Sequence, residues 1–224
     1  MIITGNNEQE INKLKDELAI RFEMKNLGEL KHFLGLEISR CKEGILVSQG
    51  QYAKKIIEIF KMINCRPAPT PMEQNLKLKA NIEKELKNVR TYRTLVGSLI
   101  YLTITRPDIS FSVGVVSQFM QKPRKPHLDA ANRILRYLKH TINYGLMYKE
   151  GADILLSGFT DADWAGDPSS RRSTSGYTFN LGSVAISWCS KKQATVAISS
   201  TEAEYNAATL ASQECVATVA ISST

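Results

Sequence analysis

The chain has 224 residues, 43% hydrophobic and 23% charged, a balance that excludes an intrinsically disordered protein and suits one large or two small domains. Its formal charge of +7 and pI near 9.2 favour polyanionic partners, although an ordinary basic surface gives the same totals. No apolar run approaches the roughly 18 residues of a membrane span, no leader pattern opens the chain, and Cys41, Cys65, Cys189 and Cys215 form no C-x-x-C pair, so an intracellular protein without a zinc site or disulfide framework is expected.

The charge is unevenly divided. Residues 151–224 hold 4 Lys+Arg against 7 Asp+Glu, a net of −3, which leaves 25 against 15, a net of +10, in residues 1–150. Ile11, Leu14, Leu18 and Phe22 recur at helical spacing and predict an amphipathic helix over 8–23. Residues 28–38 read as a turn into a strand, with 44–48 as its hairpin partner. Residues 51–62 form a second amphipathic helix, with Tyr52, Ile56, Ile59 and Phe60 on one face and Lys54, Lys55 and Lys61 elsewhere. Those lysines suit a phosphate backbone or the solvated side of a packed helix.

Arg66-Pro67-Ala68-Pro69-Thr70-Pro71 is a stiff connector, because each proline lacks a donor and constrains its predecessor. The Lys- and Glu-rich stretch that follows reads as a mobile linker over 73–90. A helical block is expected over 91–148. Its first helix carries Tyr92, Val96, Leu99 and Ile100 on one face, and Pro107 opens the second, with Ile109, Val113, Val116 and Met120. The third begins near His127, with Leu128, Ala131, Leu135 and Leu138 on one side and Arg133, Arg136 and His140 on the other. That basic face suits phosphate binding or plain solvation.

In residues 151–224 the expected order is strand, strand, strand, helix. Ile154-Leu155-Leu156 leads into Asp161, which ends the first strand; runs at 175–181 and 183–188 flank Gly182, and Ser199 to Tyr205 opens the helix. Thr201-x-x-Glu204 has the form of a capping box. Asp161 and Glu204 could converge on one divalent metal, since carboxylate oxygens are the hard ligands Mg²⁺ prefers; taken singly, each also suits a turn or cap. Asp163, Asp167 and Glu202 are lesser candidates. The octamer ATVAISST occurs at 194–201 and again at 217–224, and its second copy is not expected to continue a helix.

Taken together, TDADWAGD (160–167), RRSTSGY (171–177), ISWCSKKQ (186–193) and SSTEAEYNA (199–207) resemble the ribonuclease H domain of Ty1/copia-type retrotransposon Pol polyproteins. YRTLVGSLIYLTITRPDI (92–109) and RILRYLKHTINYGLMY (133–148) resemble the connection between polymerase and nuclease in the same family, and the likeness runs from residue 1 to about residue 215. The fold class implied is α+β: the end of a reverse-transcriptase palm with a thumb-like helix (1–72), a linker (73–90) and a helical connection (91–150), then an incomplete ribonuclease H-like β-β-β-α unit (151–224). The resemblance places Phe33-Leu34-Gly35-Leu36 at the primer grip and gives Lys54 and Lys55 to a helix that holds the template-primer duplex. It makes Asp161 and Glu204 the matched catalytic acids, with Mg²⁺ as cofactor and an RNA/DNA hybrid as partner. Arg171, Arg172, Lys191 and Lys192 then steer the hybrid's phosphates, or serve surface solubility. The family's polymerase aspartate pair and its later nuclease acids have no counterpart here. Little or no activity is therefore expected of this chain alone, and the ribonuclease H-like half, lacking a covering layer, is expected to be marginally stable.

Overall fold

The computed structural model describes residues 2–24, 26–80 and 84–222, with the backbone alone over 217–222. Helix α1 (Glu8–Phe22) begins where the Asn7 side chain accepts from the amides of Gln9 and Glu10 and ends at Glu23 in the left-handed region. Its apolar stripe buries nothing, and Phe22 is 64% exposed. Strands β1 (His32–Phe33), β2 (Leu36–Cys41) and β3 (Gly44–Ser48) then make an antiparallel meander.

Helix α2 (Gly50–Ile59) follows, and its first turn is capped from a distance: the Gln51 amide donates to Glu37 Oε1 at 2.7 Å. Ala53, Ile56 and Ile57 turn inward and leave Lys54 and Lys55 exposed. Helix α3 (Val89–Leu102), a 3-10 turn at Pro107–Ile109, α4 (Ser110–Ser117) and α5 (Lys125–His140) close around them in one hydrophobic core. Tyr92, Leu95, Val96, Leu99, Ile134, Leu135 and Leu138 are completely buried there, each such side chain worth about 1.5–3 kcal/mol of transfer free energy. Ile100, expected on the inner face of α3, is instead 44% exposed, because the inner arc of that helix passes through Leu95 and Leu102.

The helical block does not continue to residue 148. Gly145–Lys149 is strand β4, paired antiparallel with β3 from Gly44↔Lys149 to Ser48↔Gly145. Gly145 is needed at that crossing, since a Cβ there would drive into the Val47 carbonyl. The segment read as a mobile linker is packed in the part described: Leu78 is 8% exposed within the core, the Leu86 amide donates to the Pro123 carbonyl, and residues 81–83 lie outside the described residues.

The second sheet contains β5 (Leu156–Ala162), β6 (Thr174–Leu181) and β7 (Val184–Lys192) in that order, all antiparallel. Helix α6 (Ser200–Ser222) packs on one face, where the Ser187 hydroxyl donates to Glu214 and the Gln193 amide to the Ala203 carbonyl. The other face is not bare, as the absence of a covering layer would require. Helix α4 lies against β7, and Trp188 Nε1 donates to the Thr103 carbonyl at 3.0 Å. The backbone of α6 also carries on into the second ATVAISST as far as Ser222, contrary to the break expected there; its last two residues lie outside the described residues. The architecture is thus α+β, built of two antiparallel sheets flanked by helices.

Candidate nucleic-acid interface and carboxylate site

Phe33 pairs with Leu36 across a two-residue turn, and the two central residues, Leu34 and Gly35, both have positive φ, as a hairpin of primed type demands. A leucine in that conformation is held by a partner: Tyr101 Oη on α3 donates to the Leu34 carbonyl at 2.6 Å, and its ring meets Tyr52 edge-on at 4.9 Å. A side chain at Gly35 would collide with the Tyr101 hydroxyl. Tyr101 thus fixes the tetrapeptide 33–36, and nothing in the local sequence pattern around residue 33 points to it.

The basic candidates divide sharply. Lys54 and Lys55 are exposed and make no hydrogen bond or ion pair among the described residues. Arg133 and Arg136, by contrast, face the proline-rich connector. Arg133 donates to Glu73 at 3.0 Å and to Thr70 at 3.1 Å, and Arg136 Nε donates to the Arg66 carbonyl at 2.7 Å. Lys139 donates to the Cys65 carbonyl at 2.8 Å, and the Ala68 amide donates to the Arg136 carbonyl. The basic face of α5 is therefore largely a clamp on residues 65–73, while His140 at its end is exposed. Arg171, Arg172 and Lys191 are exposed near the second sheet. Lys192 is paired with Asp167 and donates to Gln118 at 3.2 Å; burial pushes its pKa down, with the charge of Asp163 opposing.

The carboxylates divide in the same way. Asp167 accepts from the amides of Ser169 and Ser170 and from the Ser170 hydroxyl, which makes it the organiser of its own turn. Asp163 accepts from the Thr174 amide at 2.8 Å. Glu202 accepts from the Ile198 amide at 2.7 Å while its own amide donates to the Ser199 hydroxyl at 3.1 Å, so α6 is capped by Ser199 and Glu202 and not by Thr201 and Glu204. Asp161 and Glu204 are left exposed with no hydrogen bond among the described residues.

Asp161 lines a cleft of about 400 Å³ between the sheet and the Pro107 to Phe111 segment; Glu204, on α6, is outside it. No group of three or more His, Cys, Asp or Glu side chains able to hold a metal occurs among the described residues. At the floor of the cleft, burial pushes the Cys189 thiol up, so it stays protonated at neutral pH.

Comparison with known proteins settles the lineage. A family model described as reverse transcriptase (RNA-dependent DNA polymerase) matches residues 1–74. The chain is 44% identical over 214 residues to the retrovirus-related Pol polyprotein from transposon RE1 of Arabidopsis thaliana, covering 96% of this chain and 15% of that protein. It is 42% identical over 225 residues to the corresponding polyprotein from transposon TNT 1-94 of Nicotiana tabacum, covering 96% and 17%. An uncharacterized mitochondrial protein of Arabidopsis thaliana is 40% identical over 215 residues, with 96% of this chain and 89% of that protein covered. The chain belongs to the Ty1/copia-type retrotransposon Pol family. No solved structure matches it.

This copia-type Pol chain spans less than a fifth of the two transposon polyproteins, so their full activities do not transfer to it as facts. Among the described residues, no helix is long and apolar enough to cross a membrane.

Proposed function

We propose that this chain is a nucleic-acid-contacting part of a copia-type Pol, in which a reverse-transcriptase palm end, thumb-like helix and helical connection precede a ribonuclease H-like unit, and that alone it binds an RNA/DNA hybrid or template-primer duplex without cutting it. The observation that carries this reading is the contrast on the basic surface. Arg133 and Arg136 are consumed by the connector, whereas Lys54 and Lys55 are exposed on the outer face of α2 with no side-chain partner among the described residues. Flexible ammonium groups without internal partners are the ones that can neutralise phosphates and release counterions.

The donor set does not fit a two-ion hydrolytic centre. Such a centre brings carboxylates onto two ions ~3.5–4 Å apart. Asp161 and Glu204 are the matched acids, Glu204 does not line the cleft that Asp161 lines, and Asp163, Asp167 and Glu202 are engaged in turns and caps. No hydrolytic step is therefore assigned to Mg²⁺ here.

The test uses the full chain and a labelled RNA/DNA hybrid, with Mg²⁺ and with chelator, beside Asp161→Asn. Neither protein is expected to cut. Metal-dependent cleavage that Asp161→Asn abolishes would show that the inactivity proposed here is wrong. Retention of the hybrid should fall with salt, and the Lys54→Ala, Lys55→Ala double variant should lower the slope of log affinity against log salt by about 2. An unchanged slope would remove α2 from the interface.

A further inference from the structure

We propose that the cleft between α4 and the second sheet is a stacking site for one unpaired nucleobase, with the adjoining phosphate held at neighbouring Lys191. Its walls come from two distant segments. Phe111 on α4 is 51% exposed and Phe159 on β5 is 65% exposed, both lining the same cavity of about 400 Å³, within the range of ~300–1,000 Å³ typical of small-ligand sites. Two half-exposed phenyl groups facing one cavity are costly to leave wet, and a base offers each a π face without demanding a particular sequence.

Trp188 and Gly176 line the same cleft. Trp188 is held in place by its bond to the Thr103 carbonyl. Gly176, beside Asp161 in the β5–β6 register, leaves the floor without a side chain, and a Cβ there would meet nothing closer than 3.7 Å. Asp161, without a side-chain hydrogen bond among the described residues, supplies an acceptor at the wall, suited to the exocyclic amine of a base and repulsive to phosphate. Phosphate is provided for next door. A second cavity of about 190 Å³ shares Thr174 and Ser190 with the first and is lined by Lys191 and Lys192; Lys191 is exposed and has no ion pair among the described residues. An aromatic slot with an acid at its wall, continuous with a basic pocket, matches a nucleotide's division into an apolar, amine-bearing base and an anionic tail.

The inference takes its choice of ligand from the nucleic-acid reading above, and its test separates the two. A short oligothymidine strand carrying one 2-aminopurine is titrated with the full chain, beside the same strand with an abasic site at that position. Expected results are quenching of the 2-aminopurine emission and binding of the base-bearing strand about 10-fold tighter than the abasic one. Phe111→Ala and Phe159→Ala should each erase that difference and leave abasic binding unchanged. The lysine pair variant on α2 should weaken both strands alike. Both phenylalanines are half-exposed, so their variants should keep the wild-type denaturation midpoint. Equal binding of the two strands by wild type, or equal loss on both in the phenylalanine variants, overturns the cleft. If neither strand binds, retention of the RNA/DNA hybrid decides the nucleic-acid reading separately, and adenosine monophosphate titrated against tryptophan emission decides the cleft. Saturable quenching lost in Phe111→Ala upholds it, and no response overturns it.

Discussion

Replacing Arg106 by alanine is expected to destabilise the chain by about 3 kcal/mol, read as a fall in the denaturant midpoint at unchanged slope. Arg106 is 3% exposed, and four of the five N–H donors of its guanidinium are engaged. Nε and Nη2 donate to both oxygens of Asp108 at 2.9 and 2.7 Å, and Nη1 and Nη2 donate to the Thr141 carbonyl and hydroxyl at 2.9 and 2.6 Å. It also lies over the rings of Tyr137 and Tyr144, 5.8 and 5.4 Å from their centroids. The group joins the turn before α4 to the end of α5, so its loss leaves Asp108 and Thr141 short of donors. Lysine should recover little, because a point charge cannot reproduce a planar fork.

The same cluster sets an acid limit. Burial alone would raise the Asp108 pKa, but the hydrogen bonds and charge of Arg106, helped by the Tyr137 hydroxyl, hold it below the ordinary carboxylate value. A carboxyl depressed in the folded state contributes stability that is whole above its unfolded pKa of about 3.9 and is lost as pH falls through the lower folded value. Arg106→Ala should flatten stability against pH below about pH 4; an unaltered acid limb would place the sensitivity elsewhere.

Loss of His127 should cost a similar amount, about 3 kcal/mol on substitution by alanine. The ring is completely buried, stacked on Phe119 at 3.8 Å, with Nδ1 accepting from the Arg124 amide at 2.9 Å and Nε2 placed 3.1 Å from the Lys79 carbonyl. Those two partners require the tautomer with hydrogen on Nε2. Its pKa is lowered, by burial first; the Lys79 carbonyl works in the opposite direction and the charge of Arg124 adds to the lowering. The unfolded chain therefore takes up the proton first. Stability should decline as pH drops below about 6.5 and level off beneath the lowered folded value. A titration of unfolding free energy between pH 7 and pH 5 should show this slope in the wild type and its absence in His127→Ala.

How far the sequence reveals this protein depends on the range of the interaction concerned. Helix α5 was legible because Ala131, Leu135 and Leu138 repeat at helical spacing and all are buried. The order β5, β6, β7, α6 was legible for the same reason: alternation and turn residues act locally. The fate of Arg133 was not, because its partners Thr70 and Glu73 lie more than fifty residues away, and the same three cations read equally well as a phosphate surface. Glu202 and Glu204 are two residues apart, and only the position of the Ser199 hydroxyl decides which of them caps the helix. The slot between Phe111 and Phe159 was invisible for a further reason, since Phe111 belongs to no motif and its meeting with Phe159 depends on α4 crossing the sheet.

The late arrival of β4 has a consequence for how the chain comes into being. The edge of β3 that pairs with Gly145–Lys149 is made early, yet its partner emerges only after the whole helical block has been synthesised. Until then a row of unpaired amides and carbonyls faces the solvent, and closing so long a loop is slow. The nascent first half is thus the species most exposed to aggregation, and a chain interrupted anywhere before residue 145 would leave that edge open for good.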